Sequence, residues 1–163
     1  MIRRLKSEDY DTVCKIVNDN WREVYAGYVN SELLTDSGCK QRELCIKNDF
    51  LSNRLSEYVL EKEGKVVALL SFGNTEDTDK AGAFEIWRIY ISQGEQGKGL
   101  GGKLISFAEK EAEKNGYREI VIWAFEGNTH ALTFYHKHGY TIDKKENLRA
   151  PYLTIGVRLI KDL

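Results

Sequence analysis

The residues best suited to chemistry form a glycine-rich stretch, Gln-Gly-Lys-Gly-Leu-Gly-Gly at 96–102, between a predicted strand and a predicted helix. Glycines let the backbone adopt positive φ angles and approach a ligand closely. Backbone N–H groups and the dipole at the start of a helix attract anions. We therefore expect an anion site here, and a nucleotide pyrophosphate suits it best. A plain turn is the alternative, but four glycines in six residues would be costly in entropy without a ligand.

The nucleotide is not fixed by the glycines alone. They also match the dinucleotide fingerprint at 97, 99 and 102, and Glu126 lies near the position of a ribose-binding acid. However, fewer than forty residues follow Glu126, too few for a second nucleotide-binding half. The phosphate loop of ATPases is excluded, because Gly99 is followed by Leu100 rather than by lysine and a hydroxyl residue. An NAD-type oxidoreductase stays open as the weaker alternative.

Three segments resemble the GNAT superfamily of acyl-CoA-dependent N-acyltransferases. Residues 96–101 fit its Gln/Arg-x-x-Gly-x-Gly/Ala signature. Residues 128–140 resemble its Asn-x-x-Ala-x-x-Phe-Tyr-x-x-x-Gly-Phe helix, here ending in Gly-Tyr, and residues 21–28 resemble the first-helix region of many small-molecule members. One departure is Gln93, where many members have proline. The resemblance spans essentially the whole chain and implies an N-acetyltransferase that uses acetyl-CoA.

The resemblance also implies how the cofactor is bound. In the family a bulge splays the fourth and fifth strands, and the pantetheine arm lies in the gap like an extra strand. The backbone around Ile89 and Ile91 is expected to pair with the arm, and the Ile91 N–H to polarise the thioester carbonyl. Asn128 and Tyr135 are expected at the cofactor too. The N–H groups of the glycine-rich stretch should hold the pyrophosphate, which assigns to the cofactor Gln96, Gly97, Lys98, Gly99, Leu100, Gly101 and Gly102.

Two titratable side chains are candidates for proton transfer during direct attack by an amine. The resemblance implies that Tyr135 is the general acid, and a thiol pKa of about 8.5 against a tyrosine pKa of about 10 leaves proton donation near balance. Glu85 is the candidate general base. Side-chain alternation predicts that it shares a strand face with Trp87, Ile89 and Ile91, where apolar neighbours would raise its pKa. A locally bonded tyrosine and a solvated glutamate are the alternatives.

The acceptor pocket is expected beside the first helix. Here the resemblance implies that Trp21, Tyr25 and Tyr28 line it, although aromatic residues at helical spacing more often belong to a core. The acceptor is expected to be a small-molecule amine or a protein or peptide amino group. Polyamines, amino acids and aminoglycoside-like amines all stay open. A CoA-binding sensor without turnover is a further alternative.

The elements that position these residues follow the order β-α-α-β-β-β-α-β-α-β-β. This order predicts an α/β fold with a mixed central sheet of about seven strands, flanked by about four helices. The N-terminal part should be antiparallel, and the strand at 83–91 should run parallel to the strand at 119–125. Helices are predicted from a cap at Ser7 to about residue 24, and around 31–50, 99–114 and 128–139. We interpret residues 1–163 as a single domain.

Composition narrows the class of protein. The chain has 24 Lys and Arg against 25 Asp and Glu, a formal net charge of −1, which argues against nucleic acid as the main partner. The longest clear apolar run, 66–70, is too short to span a bilayer, so we expect no membrane association and a cytoplasmic location. Proteins of the family that the chain resembles are commonly dimers, so a homodimer stays open. We expect neither disulfides nor a metal site from the few cysteine and histidine residues, Cys14, Cys39, Cys45, His130, His136 and His138.

Overall fold

The computed structural model describes residues 1–163 and contains one seven-stranded sheet. Its strands are β1 (Ile2–Arg4), β2 (Ser56–Lys62), β3 (Lys65–Asn74), β4 (Phe84–Ile91), β5 (Glu119–Phe125), β6 (Thr141–Leu148) and β7 (Thr154–Asp162). The sheet order is β1-β2-β3-β4-β5-β7-β6. Every neighbouring pair is antiparallel except β4 and β5, which are parallel. The predicted mixed sheet with one parallel pair is confirmed.

Four helices cover the sheet: α1 (Tyr10–Val24), α2 (Asp36–Ser52), α3 (Leu100–Lys114) and α4 (Thr129–Lys137). Short 3-10 turns precede α1 and α2, at Ser7–Asp9 and Ser31–Leu34. All four helices were expected from the sequence, with boundaries within a few residues. None of them has both the length and the apolar character that crossing a membrane requires.

Alternating side chains of the strands feed two separate cores. On the front face, Val59 and Leu69 pack with Val13 and Val17 of α1. On the back face, the strand residues that alternate with these pack against the apolar stripe of α3, which includes Leu104. Each fully buried aliphatic side chain contributes about 1.5–3 kcal/mol through removal of apolar area from water. Burial on both faces therefore holds the centre of the sheet rigidly and leaves its ends to form the site.

A β-bulge interrupts the middle of β4. Phe72 of β3 pairs with Ile86, but the preceding Ser71 pairs with Arg88, so that Trp87 is the extra residue. An extra residue reverses the alternation of side chains downstream of it. As a result, Ile86 before the bulge and Ile89 after it both face the back core.

The bulge corrects one prediction about Glu85. Its neighbours Phe84 and Ile86 belong to the back core, so the Glu85 side chain faces the front. Ile89 and Ile91 pack against the back core. The prediction that Glu85 shares a face with these two residues is therefore wrong, because uninterrupted alternation does not hold across a bulge.

Beyond the bulge, β4 and β5 separate. Their parallel pairing covers only residues 84–86 of β4 and 120–122 of β5. Both strands then continue, β4 to Ile91 and β5 to Phe125, without pairing to each other. The result is an open crevice between two strands whose outer edges stay hydrogen-bonded to β3 and β7.

Candidate active site

A cleft of about 760 Å³ opens at the crevice between β4 and β5. It extends from the glycine-rich stretch at one end to the loop after β3 at the other. Most residues selected from the sequence line it: Trp21, Tyr25, Glu85, Ile89, Ile91, Gln96, Gly97, Gly99, Leu100, Gly101, Gly102, Asn128 and Tyr135. Residues distant in the sequence thus converge on one cavity.

Tyr28 and Lys98 do not line this cleft. The ring of Tyr28 packs on Gly127, where an added Cβ would lie 2.6 Å from a ring carbon, and its hydroxyl is buried without a hydrogen-bond partner. The Lys98 ammonium points to Glu95, 3.2 Å away. Tyr28 therefore has a packing role, and any contribution of Lys98 to ligand binding would come from its backbone.

The backbone of Ile91 turns its polar groups toward the crevice. The Ser92 N–H donates to the Val67 carbonyl of β3 at 2.9 Å, and Ile91 is the register partner of Ala68. Because successive residues of an antiparallel strand turn to opposite sides, the N–H and C=O of Ile91 point away from β3. Ile89, two residues earlier on the same strand, has its N–H and C=O in the same direction. Two backbone N–H groups of β4 therefore face the gap.

Two side-chain amides bind the Ile91 carbonyl. Asn20 Nδ2 donates to it at 2.9 Å and Gln96 Nε2 at 3.1 Å. Gln96 Nε2 also donates to Asn20 Oδ1 at 3.2 Å. Asn20 was missed from the sequence. Its spacing could have indicated it, because Asn20 is a polar residue on the apolar face of α1, four residues after Ile16 and three after Val17.

The glycine-rich stretch has two distinct structural requirements. Gly97 and Gly99 have φ angles of 74° and 76°, a region that side chains with a Cβ rarely adopt. Gly101 instead lies against α4, because an added Cβ would be 2.9 Å from the Phe134 ring. Gly99 directly precedes α3, whose first N–H groups have no partner within the helix and point toward the cleft end. The stretch is built to bring backbone donors close to a ligand.

The segment after β5 places Asn128 and Tyr135 on the cleft wall. Asn128 Oδ1 accepts the Ala131 N–H at 3.2 Å and so caps α4, which was expected from the sequence. Burial raises the pKa of the Tyr135 hydroxyl above its ordinary value. Proton donation from Tyr135 to a thiolate of ordinary pKa is therefore less favourable than the sequence predicts. The two pKa values come close again only if the thiolate is held in the same dry surroundings, which raise the pKa of the thiol as well.

Glu85 lies near the other end of the cleft. It is only 5% exposed, and its Oε2 accepts a hydrogen bond of 2.7 Å from the Thr75 hydroxyl. Burial raises the pKa of Glu85 to about 7, the Thr75 bond opposes the rise, and the charges of Asp77 and Glu76 add to it. A carboxylate with a pKa near neutrality suits general-base work.

These features agree with a match to a known family. The sequence profile of the Acetyltransferase (GNAT) family matches residues 12–140. The chain belongs to the GNAT acetyltransferase family. The spermidine N(1)-acetyltransferase of Thermoplasma acidophilum is 23% identical to this acetyltransferase over 151 residues, which cover 87% of this chain and 88% of the relative.

Solved structures share the fold of this GNAT acetyltransferase. The PaiA N-acetyltransferase of Thermoplasma acidophilum, in complex with coenzyme A, has a TM-score of 0.80 at 21% identity and covers 100% of this chain and 98% of its own. YncA of Salmonella typhimurium, with acetyl-CoA, has a TM-score of 0.73 at 20% identity, covering 99% and 92%. At these identities the likeness supports the fold alone.

The acetyltransferase cleft has an acidic lining beside the loop after β3. Four carboxylate residues line it: Glu76, Asp77, Glu85 and Glu146. Trp87 and Trp123 lie among them. The acidic loop after β3 was not recognised from the sequence, because its charges read as an ordinary solvated loop. Only the three-dimensional fold brings Asp77 to the strand that carries Glu85.

An arginine holds the acidic loop of the acetyltransferase in place. Arg158 of β7 is 2% exposed, and its guanidinium binds Asp77 at 3.0 Å, Asp79 at 2.7 Å and Asp143 at 2.6 Å. Asp77 Oδ2 also accepts the Trp123 Nε1–H at 2.9 Å. One oxygen of Asp77 is thus fixed by two donors on β5 and β7, while its residue lines the cleft.

Proposed function

We propose that the chain transfers the acetyl group of acetyl-CoA to a primary amine of a small polycation by direct attack in a ternary complex. The observation that carries this is the crevice between β4 and β5, which runs directly into the glycine-rich stretch. An extended arm that ends in an anion fits this combination, since free strand groups pair with the arm and helix-start donors bind the anion. A coenzyme A pyrophosphate with its pantetheine arm has that chemistry.

The thioester is best held by the N–H of Ile89. The pyrophosphate site lies after Ile91 in the chain, so an arm leaving it runs back along β4 and meets Ile91 before Ile89. We assign pairing with the arm to the Ile91 N–H and polarisation of the thioester carbonyl to the Ile89 N–H. This revises the sequence prediction, which gives the polarising role to Ile91. It also brings the reacting carbon closer to Glu85.

Glu85 is the proposed general base. Because the bulge takes up one residue, Glu85 opposite Gly73 and Ile89 opposite Leu70 are three strand steps apart, roughly 10 Å. The acceptor nitrogen and a water molecule fill that interval, so the ammonium proton reaches Glu85 through the water. An alkylammonium has a pKa of about 10.4 and needs such a base near neutral pH. Tyr135, on the opposite wall, is the proposed donor to the departing thiolate.

The acceptor end favours a molecule with more than one ammonium group. Four carboxylates line the cleft, and they outnumber the cations that pair with them: Arg54 on Glu76, Arg158 on Asp77 and Lys144 on Glu146. Glu85 makes no ion pair, so the surplus negative charge is available to an ammonium group. An amino acid would instead need a cationic partner for its carboxylate. The two arginines beside this end are already paired, Arg158 with three aspartates and Arg54 with Asp49 and Glu76. The similarity of the chain to the spermidine N(1)-acetyltransferase of Thermoplasma acidophilum supports a polyamine acceptor.

A thiol-release assay tests the proposal. The purified chain is incubated with acetyl-CoA and one acceptor at a time: spermidine, putrescine, butylamine, glycine or an alanine-terminated peptide. We expect turnover with spermidine and putrescine at a higher kcat/KM than with butylamine, and none above background with glycine. Turnover restricted to amino acids or peptides would overturn the polycation acceptor, and tight CoA binding without any turnover would overturn the enzymatic role.

A further inference from the structure

Asn20 is a buried amide on an otherwise apolar helix face. It is 6% exposed, and both hydrogens of its Nδ2 are used: one bonds the Ile16 carbonyl at 2.9 Å and the other the Ile91 carbonyl at 2.9 Å. Its Oδ1 accepts from Gln96 at 3.2 Å. A buried amide is costly unless its hydrogen bonds are satisfied, and this one is satisfied by joining three separate segments.

The joined atoms lie where β4 has least support. At Ile91 the strand is paired to β3 on one side and to nothing in β5 on the other. The carbonyl that faces the gap receives two amide donors, from α1 and from the glycine-rich stretch. Fixing that carbonyl fixes the backbone torsion of Ile91, and with it the direction of the neighbouring N–H groups.

We propose that Asn20 is a positioning residue for the acyl-CoA: together with Gln96 it fixes the end of β4 so that the Ile89 and Ile91 N–H groups stay aimed into the crevice. This inference rests on the proposed function, because it concerns the bound cofactor. Asn20 acts through Ile91 and takes no part in bond making. Asn20 also ties the end of β4 to Gln96, which starts the glycine-rich stretch. The distance between the strand end and the proposed pyrophosphate site is thereby fixed.

The same helix supplies a matched control. Asn18 is 7% exposed and, like Asn20, has both side-chain polar atoms hydrogen-bonded, with Nδ2 donating to Glu43 at 2.9 Å and Oδ1 accepting from Arg42 at 2.7 Å. Those partners belong to α2, and Asn18 does not line the cleft. A variant at Asn18 therefore reports the stability cost of losing a buried asparagine from α1 without touching β4.

The experiment compares wild type with N20A, Q96A, the double variant N20A/Q96A, and N18A. Thermal midpoints, the Kd for CoA by calorimetry, and KM and kcat with acetyl-CoA and spermidine are measured for each. We expect N20A to raise the Kd for CoA and the KM for acetyl-CoA about three- to tenfold, the range that one or two neutral hydrogen bonds supply. The spermidine KM should stay within about twofold, and N18A should lower the midpoint with CoA binding unchanged.

The double variant separates positioning from general loosening of the helix. Because Asn20 and Gln96 share one acceptor and bond each other, their effects on CoA binding should not add. Gln96 is exposed, so Q96A keeps the test available if N20A fails to fold. CoA binding in N20A and Q96A as tight as in N18A overturns the inference and leaves the proposed function intact. A wild-type chain that binds no CoA overturns both.

Discussion

The Thr75 hydroxyl donates a hydrogen bond of 2.7 Å to Oε2 of Glu85, in the part of the cleft that we propose binds the acceptor. Burial raises the pKa of this carboxyl group to about 7, and the Thr75 bond works in the opposite direction. Only the carboxylate can accept a proton from the acceptor amine. The pH profile of kcat/KM for the acceptor should therefore have an ascending limb near pH 7.

Variants of this pair test the assignment. In T75V the carboxylate loses a donor, its pKa rises further, and the limb should move to higher pH. E85Q should lower kcat about 100-fold near neutral pH and remove the limb, with the deficit shrinking at high pH as more acceptor is already deprotonated. Steady-state rates between pH 5.5 and 9.5 check both. A limb that neither variant changes would remove Glu85 from the mechanism.

Loss of the Tyr135 hydroxyl should slow the chemical step and leave cofactor binding intact. Y135F should reduce kcat about 10- to 100-fold, because the thiolate would leave without a positioned donor, while the Kd for CoA changes less than twofold. Y140F is the matched control, since Tyr140 is fully buried and donates to Glu109 at 3.1 Å away from the cleft. It should lower the thermal midpoint with kcat unchanged. Equal kcat values in the two variants would exclude Tyr135 as the acid.

Acceptor selectivity should depend on Asp77. D77N should raise the KM for spermidine about tenfold through loss of a charge-assisted contact and leave kcat/KM for butylamine within about twofold. D79N is the control, because Asp79 binds the same Arg158 at 2.7 Å but does not line the cleft. Initial rates with the two amines measure the ratio. If D79N alters the ratio as much as D77N, the acidic loop acts through its conformation and not through direct contact.

Gly99 should matter for cofactor binding beyond its effect on stability. G99A forces a residue with a Cβ into a φ of 76°, at a cost of about 1 kcal/mol, and displaces the N–H groups at the start of α3. G116A imposes the same strain at a φ of 80°, at the other end of that helix. Both should lower the thermal midpoint, but only G99A should weaken CoA binding, by tenfold or more. Calorimetry with CoA would refute this if both variants bind equally well.

A second buried glutamate should make stability depend on pH. Glu57 is 3% exposed, its Oε2 has no partner, and burial raises its pKa from 4.5 to about 7. Between these two values the folded chain binds more protons than the unfolded chain, so the free energy of unfolding falls as pH rises through this window. E57Q removes the buried charge and should be more stable than wild type at pH 8 by about 1–3 kcal/mol, with little gain at pH 4.5. Urea titrations at both pH values measure the difference.

The sequence was a good guide to the elements around the glycine-rich stretch, where we propose that the cofactor binds. Side-chain periodicity, together with turn and cap residues such as Gly64 and Asn128, predicted all seven strands and the four helices. Gly97 and Gly99 were found from their type and spacing, since few other residues tolerate their φ angles.

The acceptor half was predicted less well, for identifiable physical reasons. The face of Glu85 was wrong because a single inserted residue, Trp87, is invisible to a period-2 pattern. Asp77 and Arg158 are 81 residues apart, and nothing local in either segment indicates that they meet. Tyr28 was selected by resemblance, but its ring is used for packing on Gly127.

The bulge at Trp87 also separates β4 into two parts that contribute to different regions of the cleft. Ile89 and Ile91 after it line the crevice, while Glu85 before it lies beside the acidic loop. Replacements upstream of the bulge, or in the loop that Arg158 restrains, can therefore retune which amine is accepted without disturbing the shared acyl donor. Laboratory evolution toward new acceptors should accumulate its changes in that upstream portion.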